Sequence, residues 1–213
     1  MKAGSLPGIG RRTVMLGGVS SLLLFGRGAM AAPGAFIGAP APAFTALDAA
    51  GRPRSLSEFA GKTVVLEWTS PSCPFVRAQY ASGAMQALQQ EAAKRGVVWL
   101  SVLSTTRSRR DYLAGPQAED FIRKRGAVTA AVLMDADGAM GRAYGARTTP
   151  HMFVIAPTGN LAYMGAIDDK PSYDAEVVKN SRGLVRAALD DLAAGRPVAT
   201  PATRPYGCAV GYA

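Results

Sequence analysis

Short apolar runs, each bounded by turn-forming residues, recur along the chain and predict β-strands. TVVLEW (63–68) is nearly continuous and rich in β-branched residues, which is typical of a strand buried on both faces of a sheet. Similar runs are VVWLSVLS (97–104), AAVLMD (130–135), HMFVIAP (151–157) and NLAYMGA (160–166). The last two flank Thr158-Gly159, so we expect them to form an antiparallel hairpin. A weaker pattern favours a short strand over 44–46, followed by a turn over 48–51 that leads into 53–56.

Between these runs the apolar positions change to helical spacing. Val76, Tyr80, Met85, Leu88 and Ala92 predict one helix that starts near Pro74 and ends at Gly96. Further helices are predicted over 117–124, 139–144 and 174–194, the last being the longest candidate. The alternation of strands and helices predicts an α/β fold with a central mixed β-sheet and helices on both faces.

The two ends of the chain lack this alternation. Arg11-Arg12 precedes an uncharged apolar run of about 14 residues (13–26) and the small-x-small pattern Ala29-Met30-Ala31. This order predicts an export signal over 1–31, resembling a twin-arginine signal, and the run is shorter than a typical membrane span. An uncleaved anchor is the alternative. We expect a periplasmic protein without stable membrane association after cleavage, a domain over 32–195 and an irregular C-terminal tail over 196–213.

Charge narrows the set of partners. The net charge is +9, of which the predicted signal carries +4 through Lys2, Arg11, Arg12 and Arg27. The remaining charges are scattered, and Arg107, Arg109 and Arg110 form the one tight basic cluster. Because no basic stripe with interleaved aromatic residues follows from this pattern, nucleic acid is not an expected partner.

Cys73 is the first of two cysteines, and it lies between the predicted strand 63–68 and the predicted helix that begins at Pro74. A thiol at a helix N-terminus faces unpaired N–H groups and the positive end of the helix dipole, which favour the thiolate. Proline fits the first helical turn, where its missing N–H is not needed. We therefore expect Cys73 to be a nucleophile that is at least partly accessible, with a buried structural cysteine as the alternative.

Four segments in order resemble the AhpC/TSA–redoxin branch of the thioredoxin-like superfamily, from about residue 38 to 195. They are GAPAPAFTALDAAGRPRSLSEFAGKTVVLEW (38–68), the Cys73 turn, TTP (148–150) and FVIAPTGNLAYMGA (153–166). The resemblance implies a thioredoxin-like fold and a thiol-based oxidoreductase, acting as a thiol-disulfide oxidoreductase or a peroxiredoxin-like antioxidant. It implies no cofactor. The implied partners are an external thiol or dithiol reductant and a peroxide or protein disulfide substrate.

The chain departs from the usual C-x-x-C turn of that superfamily, because Val76 occupies the position of the second cysteine in Cys73-Pro74-Phe75-Val76. Cys208, in the C-terminal tail, is the other cysteine and the expected resolving thiol; Gly207 would let the tail bend toward Cys73. In that cycle a Cys73 sulfenic acid condenses with Cys208 to a disulfide. A purely structural disulfide and a bond to another molecule remain open.

The resemblance assigns further site residues. Pro150, after Thr149, matches the superfamily's cis-proline, which packs against the nucleophile turn. Glu67 stands where thioredoxins commonly bury an acid, and burial would raise its pKa toward a useful range; a strand-end carboxylate reaching water is the alternative. Arg77 could lower the pKa of the thiol or hold a peroxide oxygen, or be a solvated helix residue. Ser70 fits the peroxiredoxin signature, whereas Leu66 replaces its proline.

Two rival classes of function remain at this stage. In the first, Cys73 and His151, the one histidine of the chain, bind copper(I) with help from Met152. Successive strand residues point to opposite faces, which disfavours this set. In the second, a non-catalytic binding domain keeps the fold and a structural disulfide. We predict no metal site otherwise.

Overall fold

A computed structural model describes residues 1–4 and 34–212, and in this part of the chain the predicted strands share one mixed sheet. The strands are β1 (Thr45–Asp48), β2 (Pro53–Ser55), β3 (Val64–Trp68), β4 (Val98–Leu103), β5 (Ala131–Met134), β6 (Thr148–Thr149), β7 (His151–Ile155), β8 (Leu161–Gly165) and β9 (Cys208–Ala209). The helices are α1 (Pro74–Ala81), α2 (Ala84–Lys94), α3 (Gly115–Lys124), α4 (Ala139–Tyr144), α5 (Ala175–Lys179) and α6 (Leu184–Ala193). A 3₁₀ turn spans Leu56–Phe59.

The main sheet has the order β2-β1-β5-β4-β3-β7-β8. Strands β3, β4 and β5 are parallel neighbours, whereas β7 and β8 are antiparallel to the strands beside them. The interior position of β3 explains its near-continuous apolar sequence, since side chains on both of its faces are buried. The predicted α/β class, the mixed sheet and the antiparallel hairpin are confirmed.

Helices cover both faces of this sheet, as predicted. On one face, α1, α2 and α6 pack on a cluster that includes Val65, Trp99, Met152 and Cys73. On the other face, α4 packs on a second cluster built around Trp68, Phe153 and Tyr144, whose rings contact one another. Side-chain alternation along β3 and β7 therefore decides which residues share the Cys73 face.

The two longest predicted helices are each divided into two, and this part of the prediction was wrong. The helix expected from Pro74 to Gly96 breaks between α1 and α2 at Gly83, whose φ of 77° lies in the left-handed region that glycine adopts easily. The helix expected over 174–194 breaks between α5 and α6, where Asn180 ends α5 and its side-chain amide donates to the Glu176 carbonyl. Apolar spacing alone does not reveal such local stops.

The C-terminal tail is not irregular throughout, which corrects the expectation for 196–213. Strand β9 pairs antiparallel with β6, directly before Pro150. The amide of Thr203 donates to the Met164 carbonyl, and that of Met164 donates to the Pro201 carbonyl. The described residues from 34 onward belong to one compact unit, so the tail is packed as part of the domain.

The expected export signal lies outside the described residues, apart from residues 1–4, and it stays a prediction. Within the described part of the chain no helix has the length and apolar character that crossing a membrane requires.

Candidate active site

Cys73 is the N-cap residue of α1, at the turn that follows the interior strand β3. Its φ and ψ of −77° and 119° are extended, and Pro74 opens the helix as the sequence predicts. The side chain is only 1% exposed, so the expectation of a partly accessible thiol was wrong. Phe75, Tyr206 and Cys208 pack against the apolar cluster that contains Cys73.

The Thr149–Pro150 peptide bond is cis, which confirms the prediction for Pro150. The Cys73 thiol donates a hydrogen bond to the Thr149 carbonyl, with 2.9 Å between Sγ and the oxygen. The cis-proline loop therefore lies against the cysteine turn. The Thr149 carbonyl stabilises the protonated form of the Cys73 thiol by accepting its hydrogen bond.

The tail brings the second cysteine to the same place. In the β6–β9 pair Cys208 is directly opposite Thr149, the residue that accepts the Cys73 hydrogen bond. Gly207 makes this approach possible, because a Cβ built on it would lie 2.0 Å from the Thr149 carbonyl oxygen, and its φ is 126°. Both cysteines are free thiols, and Cys208 packs against the apolar cluster that contains Cys73.

The surroundings of Cys73 favour its thiolate. Burial raises the pKa of this thiol, but donors to the thiolate together lower it by more, so the net direction is downward. These donors are the Thr149 hydroxyl, the Cys208 thiol and the amides of Val76 and Cys208. The Thr149 hydroxyl is buried and has no other partner in the described part of the chain. An ionised Cys73 would thus gain a donor that is otherwise unsatisfied.

Cys208 has the opposite tendency. Partial burial and the neighbouring Cys73 raise the pKa of Cys208 to about 12. Two thiols this close do not ionise together, because the second thiolate would meet the charge of the first. The pair therefore carries its first negative charge on Cys73 and keeps its remaining proton on Cys208.

Removing the Cys208 thiol is expected to raise the pKa of Cys73, because one of the donors to the thiolate disappears. Cys208→Ala should show the full effect, whereas Cys208→Ser keeps a hydroxyl donor and should show a smaller one. The pH dependence of Cys73 alkylation by a small reagent, in the reduced full-length protein, measures the pKa. Equal alkylation profiles for wild type and Cys208→Ala would show that Cys208 does not support the thiolate.

Glu67 is the buried acid that the resemblance implied. It is 0% exposed and lies on the Cys73 face of β3. Its carboxyl group accepts hydrogen bonds from Trp99 Nε1 at 2.9 Å, Gln89 Nε2 at 3.2 Å and Ser101 Oγ at 3.3 Å. Burial raises the pKa of Glu67 despite these donors. The direction of the pKa change is confirmed, and the alternative of a strand-end carboxylate in water is wrong.

Replacing Glu67 by glutamine is expected to flatten the pH dependence of stability. A carboxyl whose folded pKa lies above its ordinary 4.5 stabilises the folded protein fully below that value, and loses this contribution as pH rises through the folded pKa. The stability of Glu67→Gln relative to wild type should therefore increase with pH. Each pH unit by which folding raises the pKa corresponds to about 1.4 kcal/mol.

Urea unfolding of both proteins at about pH 5 and about pH 8 measures this difference. Glu119→Gln serves as the control, because Glu119 is an exposed glutamate on α3. A stability difference between Glu67→Gln and wild type that is the same at both pH values would contradict a raised pKa for Glu67.

Arg77 does not join this site. Its side chain is exposed on α1, and it is not among the groups that shift the pKa of Cys73. Ser70 is also turned away: its hydroxyl is 3.1 Å from that of Ser72, which donates to Asp111 at 2.7 Å. The peroxiredoxin-like roles considered for Arg77 and Ser70 thus have no support in the geometry.

The copper-binding set is not brought together either. The His151 ring packs against Phe153 at 4.4 Å, on the face of β7 opposite to Met152, and Met152 shares the cluster of Cys73. The Arg147 amide donates to His151 Nδ1, and burial lowers the pKa of His151 to about 4. Alternation along the strand separates Cys73 and His151, as the sequence pattern indicated.

Sequence reasoning missed the residues that fasten the tail beside the site. Asp168 is buried and accepts hydrogen bonds from Tyr206 Oη at 2.5 Å and from Gln79 Nε2 at 2.6 Å. Tyr212 Oη donates to the Ala146 carbonyl at 2.9 Å. The one signal in the sequence was the pair of tyrosines within a Pro/Gly-rich segment, since large aromatic side chains are rarely left unpacked.

Comparison with known proteins agrees with this architecture. The sequence pattern of the AhpC/TSA family matches residues 37–164. No curated protein matches the chain.

Solved structures show the same fold. A hypothetical protein from Sinorhizobium meliloti 1021 is 23% identical with a TM-score of 0.71, covering 85% of this chain and 97% of its own. An uncharacterized conserved protein from Geobacillus kaustophilus is 22% identical with a TM-score of 0.71, covering 83% and 92% respectively. A protein provisionally assigned as the thiol:disulfide interchange protein DsbE from Chlorobium tepidum is 20% identical, with a TM-score of 0.53 and coverage of 76% and 97%.

Proposed function

Because the chain belongs to the AhpC/TSA family, we propose that it is a thiol-based oxidoreductase in which Cys73 is the nucleophile and Cys208 the resolving cysteine. Family membership and the thioredoxin-like fold support a thiol redox function. The resolving role of Cys208 is supported by one observation above all: Cys208 is paired in register with Thr149, whose carbonyl accepts the Cys73 hydrogen bond.

The proposed cycle needs two electrons from a dithiol. The Cys73 thiolate attacks one oxygen of a hydroperoxide, the O–O bond breaks, and the leaving alkoxide or hydroxide takes up a proton, which leaves Cys73 as a sulfenic acid. The Cys208 sulfur then attacks the Cys73 sulfur; the thiol proton and the departing hydroxide form water, and a Cys73–Cys208 disulfide remains. A dithiol reductant reopens this bond and becomes a disulfide itself.

A disulfide substrate would enter the same cycle at the first step. The Cys73 thiolate would attack one of its sulfurs and release the other as a thiolate, and Cys208 would then displace the bound half. In both versions Cys73 forms the first covalent bond, which suits the thiol whose pKa is lowered. Cys208, whose pKa is raised, remains protonated until its partner sulfur has been oxidised.

The pairing of the two cysteines also suits the reductive step. Cys208 is the more exposed of the two sulfurs, so an incoming thiolate would reach it first. Attack there releases Cys73, and a thiol of low pKa is the better leaving group in disulfide exchange. The proposal includes export to the oxidising periplasm, on the basis of the export signal predicted over 1–31.

Turnover by the reduced full-length protein tests the proposed function. Hydrogen peroxide or oxidised glutathione is supplied with dithiothreitol as the dithiol, and consumption of the oxidant is compared with that by the dithiol alone. We expect consumption of at least one of the two oxidants well above the rate without protein. Rates equal to the rate without protein for both oxidants would overturn the proposal and favour a structural disulfide in a non-catalytic domain.

A further inference from the structure

The C-terminal tail from residue 201 to residue 212 packs on the domain, with a bend at Gly207 directly before strand β9. Backbone hydrogen bonds fasten it on both sides of the β6–β9 pair: those between Thr203, Pro201 and Met164 come before the pair, and two more come after it. The Val210 amide donates to the Arg147 carbonyl at 3.0 Å, and the Thr106 amide donates to the Gly211 carbonyl at 2.9 Å. The tail thus uses the backbone edge beside the cis-proline loop in the way that an added strand uses the edge of a sheet.

The surface beneath the tail is shaped for it by glycines. A Cβ built on Gly141 would lie 2.1 Å from Tyr212 Oη, and one built on Gly165 would lie 2.1 Å from Thr203 Oγ1. Tyr212 also lies against Gly138, where a Cβ would come within 2.7 Å of its ring. The tail therefore lies in a fitted groove, which contains the Cys73 turn at its centre and a tyrosine site at its end.

Strand pairing between the tail and the domain is limited to the short strand β9. It has two residues, and the pairing it forms with Thr148 and Thr149 consists of main-chain groups that any extended peptide offers. Side-chain selectivity comes from the positions around it: a glycine against the Thr149 carbonyl, a cysteine next to it, and an aromatic residue four positions after the cysteine.

We propose that this groove is a binding surface for an extended cysteine-bearing peptide, and that the tail of the same chain occupies it. A peptide or protein disulfide must then displace the tail before it can react with Cys73. A small oxidant requires only a local opening above a sulfur that is 1% exposed. The proposal that the tail excludes disulfide substrates rests on the function proposed above. The proposal that the groove binds an extended peptide does not.

With the tail displaced, the two cysteines can reduce a peptide disulfide. The Cys73 thiolate attacks one sulfur of the peptide disulfide and forms a mixed disulfide, and the other half leaves as a thiolate that takes up a proton. When the tail returns, Cys208 loses its proton to the second leaving thiolate and attacks the Cys73 sulfur. The product is the Cys73–Cys208 disulfide with two peptide thiols, so the peptide is reduced by two electrons.

Peptide binding to the full-length reduced protein tests the surface without any reaction of sulfur. The probe is a fluorescein-labelled peptide of residues 201–212 with serine at the position of Cys208. Since the tail competes from within the chain, the apparent Kd equals the intrinsic Kd divided by the fraction of open groove. Tyr212→Ala and Gly207→Ala weaken the tail and leave the groove intact, so each should lower the apparent Kd at least about tenfold.

Gly141→Ala is the matched control, because its Cβ would obstruct the tyrosine site for the tail and for the peptide alike. It should release the tail, seen as faster amide hydrogen exchange over residues 207–212, without any gain in peptide binding. Peptide binding that stays at the wild-type level in both Tyr212→Ala and Gly207→Ala would overturn the proposed surface. So would an equal gain in Gly141→Ala, which would indicate binding elsewhere.

Reaction rates separate this inference from the proposed function. The ratio of the Cys73 reaction rate with the oxidised, cystine-linked tail peptide to that with hydrogen peroxide should rise at least about tenfold in Tyr212→Ala. A ratio unchanged from wild type would overturn the exclusion of disulfide substrates. Tighter peptide binding without reaction of either oxidant would support the surface and contradict the proposed function.

Discussion

Replacing Gly207 by alanine is expected to uncouple the two cysteines. The new Cβ would lie 2.0 Å from the Thr149 carbonyl oxygen, and a φ of 126° is one that alanine rarely adopts. Backbone strain of this kind costs about 1–3 kcal/mol before the steric clash is added. The strand pairing that holds Cys208 opposite Thr149 should therefore open, and Cys208 should lie away from Cys73 for most of the time.

The rate at which the Cys73–Cys208 disulfide forms after one equivalent of hydrogen peroxide measures this effect. We expect Gly207→Ala to slow disulfide formation at least about tenfold, because strain of about 1.4 kcal/mol already lowers the ratio of paired to open tail tenfold and the clash with the Thr149 carbonyl lowers this ratio further. The Cys73 sulfenic acid should accumulate and be trapped by dimedone.

Gly195→Ala is the control for the Gly207 prediction. Gly195 also has a positive φ, of 67°, but a Cβ there has nothing within 4 Å, so this substitution tests backbone strain without the contact. It should leave disulfide formation close to the wild-type rate. Wild-type disulfide formation in Gly207→Ala would show that the β6–β9 pairing does not bring the cysteines together.

Replacing Cys73 by serine is expected to abolish thiol-dependent turnover completely. The serine hydroxyl remains protonated at neutral pH and cannot replace a thiolate as nucleophile. Cys208 is not expected to substitute for it, because burial, the largest cause of its raised pKa, remains when Cys73 is replaced. Oxidant consumption by Cys73→Ser should equal that of the reductant alone.

Cys208→Ser should behave differently, and this contrast assigns the two roles. Its Cys73 thiolate should still react once with hydrogen peroxide and give a trappable sulfenic acid, which further peroxide converts to sulfinic acid. Steady turnover should be lost or depend on direct attack by the external thiol. Residual turnover in Cys73→Ser, or full turnover in Cys208→Ser, would contradict the assigned roles.

The sequence predicted the parts of the fold that rest on periodicity. The run 63–68 was predicted as an interior strand because its residues are apolar at successive positions, and β3 is indeed buried on both faces of the sheet. This pattern can be read within a few residues of sequence. The breaks at Gly83 and after Asn180 were missed because each depends on one residue and its local hydrogen bonds rather than on a repeating pattern.

The candidate site shows a similar division. Cys73, Pro150 and Glu67 were found from their places relative to predicted strands and from a family resemblance, and all three are buried. The burial of Cys73 could not be predicted, because it depends on a tail that is distant in sequence. The hydrogen bond between the Thr149 carbonyl and the Cys73 thiol likewise joins residues 76 positions apart.

Arg77 and His151 illustrate what sequence position alone cannot decide. Arg77 is one helical turn from Cys73, yet its side chain is exposed to solvent. His151 adjoins Pro150, yet it belongs to the opposite face of the sheet from Met152. In both cases the direction of the side chain, rather than the distance along the chain, determines whether it can act on the thiol.

The bond between Cys73 and Cys208 is the most direct test of the proposed mechanism. Reduced full-length protein is treated with one equivalent of hydrogen peroxide, digested without reductant and mapped by mass spectrometry, with a second sample reopened by a dithiol. We predict a peptide pair linked through Cys73 and Cys208 within one chain, which appears with the oxidant and disappears with the dithiol. A sulfenic or sulfinic acid at Cys73 beside a free Cys208 thiol, or a bond between two chains through Cys208, would contradict it.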